Sequence, residues 1–174
     1  EAPGVHPLRM ITVFSPKGGA GTTTVAANLA VSLHKALKQE LLLVDGKHLF
    51  GHTALYLNLR SGNSISDLIA HAGALDPRLV KQAAVKHSSG VHVLPSPTEI
   101  TQAQGIRPED LFKVIQGLKA AFPYIVVDGG NHLDENTVTY LDASDRILLV
   151  LTPDLAAMRD ARQFLDIAAP LGYP

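Results

Sequence analysis

The chain has 174 residues, enough for one domain with a substantial hydrophobic core. It contains no cysteine, which excludes disulfides, cysteine-based metal sites and a cysteine nucleophile. A net charge of −1 argues against a strongly basic nucleic-acid-binding face, and no apolar run reaches membrane-spanning length. The composition therefore predicts a globular protein with a cytoplasmic location.

Short apolar runs alternate along the chain with helical patterns, which is typical of a mostly parallel sheet with helices on both faces. The runs are almost entirely apolar, so both faces of each strand are expected to be buried. The predicted strands are Met10–Phe14, Leu41–Val44, Val91–Leu94, Tyr124–Val127 and Arg146–Leu151. The predicted helices are Thr23–Lys38, Ser66–Ala72, Asp76–Lys86, Pro108–Ala121, Glu135–Leu141 and Asp154–Ala169.

Two connections between these elements are unusual. The first helical pattern continues to about Glu40 and the next strand begins at Leu41, which leaves no turn between them. Since a helix-to-strand connection normally needs a few residues, the sequence leaves open whether residues are absent between Glu40 and Leu41. The polar segment 96–107 has no clear period and is predicted to be a surface loop.

A glycine-rich segment, Lys-Gly-Gly-Ala-Gly-Thr-Thr-Thr, lies between the first predicted strand and the first predicted helix. This order is typical of a phosphate-binding loop, because backbone N–H groups and the positive end of the helix dipole converge there. The fold class predicted is therefore α/β and P-loop NTPase-like. The candidate nucleotide-binding residues are Lys17, Gly18, Gly19, Ala20, Gly21, Thr22, Thr23 and Thr24.

These residues and the neighbouring acids also have ordinary structural interpretations. Thr23 and Thr24 are suited to capping the helix that follows them, and Asp128 is suited to capping the loop after its strand. His48 and His52 are four residues apart, but nearby glycines argue against a helix there. We interpret both histidines as polar surface residues and assign no metal site to them.

Residues 17–24 resemble the deviant Walker A loop, K-G-G-x-G-K-[ST]-T, of the ParA/MinD family of ATPases. The segments 42–45, 124–128 and 141–154 are similar to that family's first switch strand, its Walker B strand and its next strand. The resemblance thus covers nearly the whole chain. Segment 50–59 makes the chain most similar to the CpaE/TadZ branch of pilus-assembly proteins.

The resemblance implies ATP and Mg²⁺ as cofactors. It assigns Thr23, Asp45 and Asp128 to the metal, and Lys17 and Asp45 to catalysis. In this family the front lysine reaches across a dimer interface to the partner's nucleotide, a role that would fall on Lys17. Thr24 would lie beside the α-phosphate.

Four positions depart from the family pattern. Thr22 replaces the lysine that bridges the β- and γ-phosphates, and Lys47 replaces a second acid that positions water. Losing one preorganised donor costs about 3 kcal/mol of transition-state stabilisation, so we expect weak or absent hydrolysis. We favour a solvated loop lysine for Lys47; the alternative is that it supplies the cation that Thr22 lacks. Gly129-Gly130 replaces an apolar-proline pair, which favours a mobile second switch.

The resemblance implies a homodimer across nucleotide that acts as a localisation or assembly factor for a Flp/Tad-type pilus secretion system, at the cell pole. One alternative is an active dimeric ATPase that positions or partitions cargo. Another is a scaffold that binds no nucleotide. No specific nucleic acid is expected, and any membrane association is indirect or unknown.

The domain organisation expected from the sequence has two parts. Residues 1–8 are predicted to be a linker from an upstream receiver-like domain. Residues 9–174 are predicted to be the ATPase-like domain, truncated at its C-terminal end. In the family, the strand expected next and the loop after it help to hold the adenine base.

Overall fold

The structure is a computed structural model that describes residues 8–60 and 62–173. The predicted linker therefore lies outside the described residues except for Leu8. Within the described residues, six strands form one sheet in the order β3-β4-β2-β5-β1-β6. The strands are β1 Met10–Phe14, β2 Leu41–Asp45, β3 Val85–Lys86, β4 His92–Leu94, β5 Tyr124–Asp128 and β6 Arg146–Leu149.

Eight helices accompany this sheet in the described part of the chain. They are α1 Thr22–Leu37, α2 Thr53–Tyr56, α3 Ile65–Ile69, α4 Pro77–Ala83, α5 Ile100–Gln104, α6 Pro108–Ala121, α7 Glu135–Asp142 and α8 Leu155–Ala168. Among residues 8–60 and 62–173, no helix combines the length and the apolar character that crossing a membrane requires.

Strands β1, β2 and β5 are almost entirely buried between helices on both faces, as their apolar runs predict. The edge strand β6 differs from the prediction, because it is partly exposed and Leu148 is 38% exposed. Along β2, Leu41 and Leu43 pack with the small residues of α1, whereas Leu42 and Val44 pack on the opposite side. That opposite side is covered by residues of α3, α4, α6 and α7. All neighbouring strands are parallel except β3 and β4. The predicted α/β class with a mostly parallel sheet is confirmed.

The connection between α1 and β2 does not need additional residues. Helix α1 ends at Leu37, and Lys38 takes the left-handed conformation at φ 54° while its N–H donates to the His34 carbonyl at 2.9 Å. Residues 38–40 then lead directly into β2. The helical pattern overestimated the helix by about three residues, which removes the reason for expecting absent residues.

Other differences between the predicted and the observed secondary structure concern short elements. The predicted helix Asp76–Lys86 ends at Ala83, and Val85–Lys86 forms a strand antiparallel to β4 instead. The predicted loop 96–107 contains α5, and the four-residue helix α2 was also missed. Segments of two to five residues are too short to show a helical or strand period.

The sheet order brings the carboxyl ends of β1, β2 and β5 together. Strand β5 lies between the other two, and Asp128 is in register with Val13 of β1 and with Asp45 of β2. Ligands of open parallel sheets bind outside the carboxyl ends of the strands. The glycine-rich loop leaves β1 at this same edge, which fixes the location of the candidate site.

Candidate functional site

The loop between β1 and α1 has the backbone conformation that its glycines allow. Gly19 and Gly21 have φ values of 78° and 92°, which side chains disfavour. The buried Ser15 hydroxyl donates to the Lys17 carbonyl at 2.9 Å and accepts from the Lys17 N–H at 3.2 Å, which shapes the start of the loop.

Gly21 is also the N-cap of α1, and no side chain among the residues that the structure describes caps this helix end. Thr23 and Thr24 therefore do not cap α1, which was the alternative to their predicted roles in nucleotide and metal binding. The first N–H groups of the helix remain available to an anion, and the helix dipole adds positive potential at the same place.

Three side chains meet directly beside the loop: Thr23, Asp128 and Lys47. The Thr23 hydroxyl donates to Asp128 Oδ2 at 2.6 Å. Lys47 Nζ lies 2.8 Å from Thr23 Oγ1 and 2.9 Å from Asp128 Oδ2. Asp128 is fully buried and the Lys47 side chain is 19% exposed. Interpreting Lys47 as a solvated loop lysine was wrong, because its ammonium is the charge partner of a buried carboxylate.

Asp45 lies one strand away and stabilises the loop that follows it. Its Oδ2 accepts from the Thr53 N–H at 3.0 Å, and its Oδ1 accepts from the Lys47 N–H at 3.3 Å. Burial raises the pKa of Asp45, and the negative charge of Asp128 acts in the same direction. The metal and catalytic roles predicted for Asp45 stay predictions; the geometry adds that the carboxylate holds residues 46–53 against the sheet.

Lys17 points toward the start of α8. Its Nζ lies 2.7 Å from Asp154 Oδ2, with both side chains about a third or more exposed. The Lys17 ammonium and the Thr152 hydroxyl hold the pKa of Asp154 well below its usual range. Asp154 Oδ1 also accepts from the Ala157 N–H at 3.0 Å and so caps α8. The front lysine is therefore held by an ion pair within its own chain.

A cavity of about 690 Å³ opens next to the loop, within the size range of ordinary ligand pockets. Its wall combines five residues of the loop and of the first turn of α1 with residues that follow β2 and β5. The principal lining residues are Gly19, Gly21, Thr22, Thr23, Thr24, Lys47, His48 and Asn131. Of the predicted site residues, Lys17, Gly18, Ala20, Asp45 and Asp128 do not line this cavity.

His48 is a second cavity residue, besides Lys47, that sequence reasoning assigned incorrectly. It is 9% exposed rather than on the surface, and its ring stacks on that of Tyr140 with centroids 6.0 Å apart. Burial lowers its pKa to about 4, opposed by the nearby charge of Asp134. Neither ring nitrogen has a hydrogen-bond partner among the described residues. No local pattern marks this position, because its burial depends on α7 packing over it.

A glycine-rich loop between β1 and α1, with Thr23 and Asp128 in contact at the carboxyl edge of a parallel sheet, defines a P-loop nucleotide-binding domain. The chain belongs to the family described as AAA domain, which matches residues 8–170, and within it to the ParA/MinD family of P-loop ATPases.

Three known proteins illustrate the relationship. An uncharacterized ATP-binding protein of Methanocaldococcus jannaschii is 30% identical over 169 residues, covering 95% of this chain and 61% of the relative. The crystal structure of a ParA family ATPase from Chlorobium tepidum has a TM-score of 0.86 at 29% identity, covering 92% of this chain and 66% of that one.

The third is the septum site-determining protein MinD of Pyrococcus horikoshii, which was solved with Mg-ADP. It has a TM-score of 0.80 at 26% identity, covering 95% of this chain and 66% of that protein. The chain thus spans less than two thirds of the first relatives that it matches. The resemblance to the ParA/MinD family is confirmed, whereas the CpaE/TadZ branch stays a prediction.

Proposed function

We propose that this chain is a ParA/MinD-type nucleotide-binding domain that binds ATP, uses Mg²⁺ and acts as a localisation or assembly factor with weak or absent hydrolysis. The observation that carries this proposal is the cavity lined by residues 21–24 directly beside the contact between Thr23 and Asp128. A MinD relative that was solved with Mg-ADP supports the choice of nucleotide and metal.

The residue types beside the loop are those that bind a hard divalent cation, and the Lys47 ammonium lies between two of them. Mg²⁺ prefers oxygen ligands, and the Thr23 hydroxyl and the Asp128 carboxylate oxygen lie only 2.6 Å apart. Asp45 stands in register with Asp128 on the neighbouring strand. Once the Lys47 ammonium leaves the two oxygens that it contacts, these three residues would hold Mg²⁺, and the ion would supply positive charge to the phosphates.

Weak hydrolysis follows from the charges around the cavity. Thr22 lines the cavity with a neutral hydroxyl where the family places a lysine. Lys47 also lines it, at the position where the family places an acid that orients the attacking water. An ammonium group cannot accept a proton from that water, so phosphate binding is supported more strongly than phosphate transfer.

The proposed partners are a second copy of the chain across nucleotide and the proteins of a pilus secretion machinery, with a cytoplasmic location at the cell pole. Lys17 lies at the surface and can exchange its ion pair with Asp154 for a partner's phosphate. Segment 50–59, which carries the resemblance to CpaE/TadZ, contains three large exposed side chains. Phe50 is 79% exposed, Leu55 is 74% exposed and Tyr56 is 60% exposed. Large exposed apolar side chains so close together support a protein-binding surface.

Light scattering, phosphate release and a nucleotide-binding titration on the purified protein test this proposal together. We expect a dimer with Mg-ATP, a monomer with Mg-ADP, and turnover barely above background. A substantial rate of hydrolysis that disappears in Asp128→Ala would instead identify an active positioning ATPase. No binding and no dimer would identify a scaffold.

A further inference from the structure

The ammonium group of Lys47 lies where a divalent cation would need to be. Its Nζ is within 3 Å of both oxygen atoms that fit the metal, Thr23 Oγ1 at 2.8 Å and Asp128 Oδ2 at 2.9 Å. A carboxylate that is fully buried needs a positive partner, and Lys47 is the residue that provides it. The two oxygens are therefore already satisfied by a cation that belongs to the chain.

Room for this lysine is built into the loop after β5. Gly130 has φ 67°, and a Cβ placed on it would lie 2.7 Å from Cγ and 2.9 Å from Cδ of Lys47. Real Cβ atoms essentially never come so close, so the aliphatic part of Lys47 occupies the space that a side chain at position 130 would take. The lack of a side chain at Gly130 thus leaves the space in which the Lys47 side chain lies.

The same lysine also faces the cavity. Lys47 and Thr22 both line it, and Thr22 has no charge to offer a phosphate. An ammonium anchored by a buried aspartate is held in place before a ligand arrives, which reduces the entropy lost on binding. It therefore has both the charge and the position to contact a polyphosphate that lies in the loop.

We infer that Lys47 is the phosphate-binding cation of this site, and that it replaces Mg²⁺ between Thr23 and Asp128, so that nucleotide binding does not require a divalent metal. The inference rests on the proposed function, because it concerns how the same cavity binds a nucleoside di- or triphosphate. Thr23 and Asp128 remain able to ligate Mg²⁺ when the lysine is removed.

The test is the dissociation constant of ATP and of ADP for the purified protein, measured by titration calorimetry in MgCl₂ and again in EDTA. We expect the wild-type constants to differ by less than about threefold between the two buffers. Lys47→Gln is expected to lose about tenfold or more in EDTA and to recover in MgCl₂. Lys113→Gln is the matched control, since Lys113 pairs with Asp110 on the exposed face of α6.

The wild-type comparison keeps the test decisive even if the Lys47 variant does not fold, which a thermal melt will show. Lys47→Met gives a second variant that keeps the aliphatic contact with Gly130 and removes the charge, and we expect it to weaken binding in EDTA as well. Binding by the wild type that is lost in EDTA and restored by Mg²⁺ overturns the inference but leaves the proposed function intact. Absence of nucleotide binding in both buffers overturns both.

Discussion

Lys17 Nζ and Asp154 Oδ2 lie 2.7 Å apart, although the two residues are separated by 137 positions in the sequence. The front lysine of the loop is therefore occupied within its own chain. If Lys17 contacts the nucleotide of a partner, it must first leave Asp154. The ion pair then opposes dimerisation, so removing the negative charge of Asp154 should favour the dimer.

Asp154→Asn tests this competition. Asparagine keeps an oxygen that can cap α8, so the helix should persist while the charge is lost. Because an exposed ion pair is weak, we expect the dimer to tighten by about fivefold or less in Mg-ATP, measured by analytical ultracentrifugation. Lys17→Ala should remain a monomer with or without nucleotide. A weaker dimer in Asp154→Asn would contradict the account.

Restoring the family residues at positions 22 and 47 should raise the weak ATP hydrolysis predicted for this chain. Thr22→Lys alone is expected to raise turnover little, because Lys47 still stands where an acid is needed. Thr22→Lys combined with Lys47→Asp restores both family positions and should raise phosphate release by about a hundredfold. The measurement is steady-state phosphate release at saturating Mg-ATP, with thermal melts to confirm folding. A double variant no faster than Thr22→Lys would show that other positions limit the chemistry.

His48 should make the protein sensitive to mild acid. Its pKa is lowered from 6.5 to about 4 by burial, so the unfolded chain takes up a proton before the folded protein does. The stability that neutral His48 contributes is thus full above pH 6.5 and is lost as the pH falls toward 4. The facing groups are Asp134, which opposes the shift, and the ring of Tyr140.

The variant His48→Leu isolates this effect from other titrating groups. Between pH 6.5 and pH 4, the wild type should lose about 3 kcal/mol more unfolding free energy than the variant. Urea unfolding at several pH values gives both curves. Parallel curves would mean that His48 is hydrated or protonated in the folded protein.

Tyr140 carries a buried hydroxyl that has no hydrogen-bond partner among the described residues. An unsatisfied buried polar group costs about 1–3 kcal/mol, so Tyr140→Phe should raise the unfolding free energy by roughly 1 kcal/mol or more. Thermal unfolding of the two proteins measures the change. A lower melting temperature for Tyr140→Phe would show that a water or a ligand group bonds to the hydroxyl.

The sequence predicted those parts of the site that depend on local pattern. The glycines of the loop, Thr23 and the strand ending in Asp128 follow from strand, turn and helix signals within short segments. The arrangement of Lys17 and Lys47 does not, because their partners come from other strands and helices. A lysine in a polar loop has the same local sequence whether its ammonium faces water or a buried aspartate. Small elements such as α2 and β3 were missed for the related reason that tertiary contacts stabilise them.

Titration calorimetry of the purified protein with Mg-ATP, with adenosine as the matched ligand that lacks phosphates, tests whether the loop binds the phosphates of a nucleotide. Since the loop is proposed to recognise phosphate, we expect a saturable heat with one ATP per chain and no heat with adenosine at the same concentration. A folded protein that gives no heat with ATP, or that binds adenosine equally well, would contradict the assignment of this cavity as a nucleotide phosphate site.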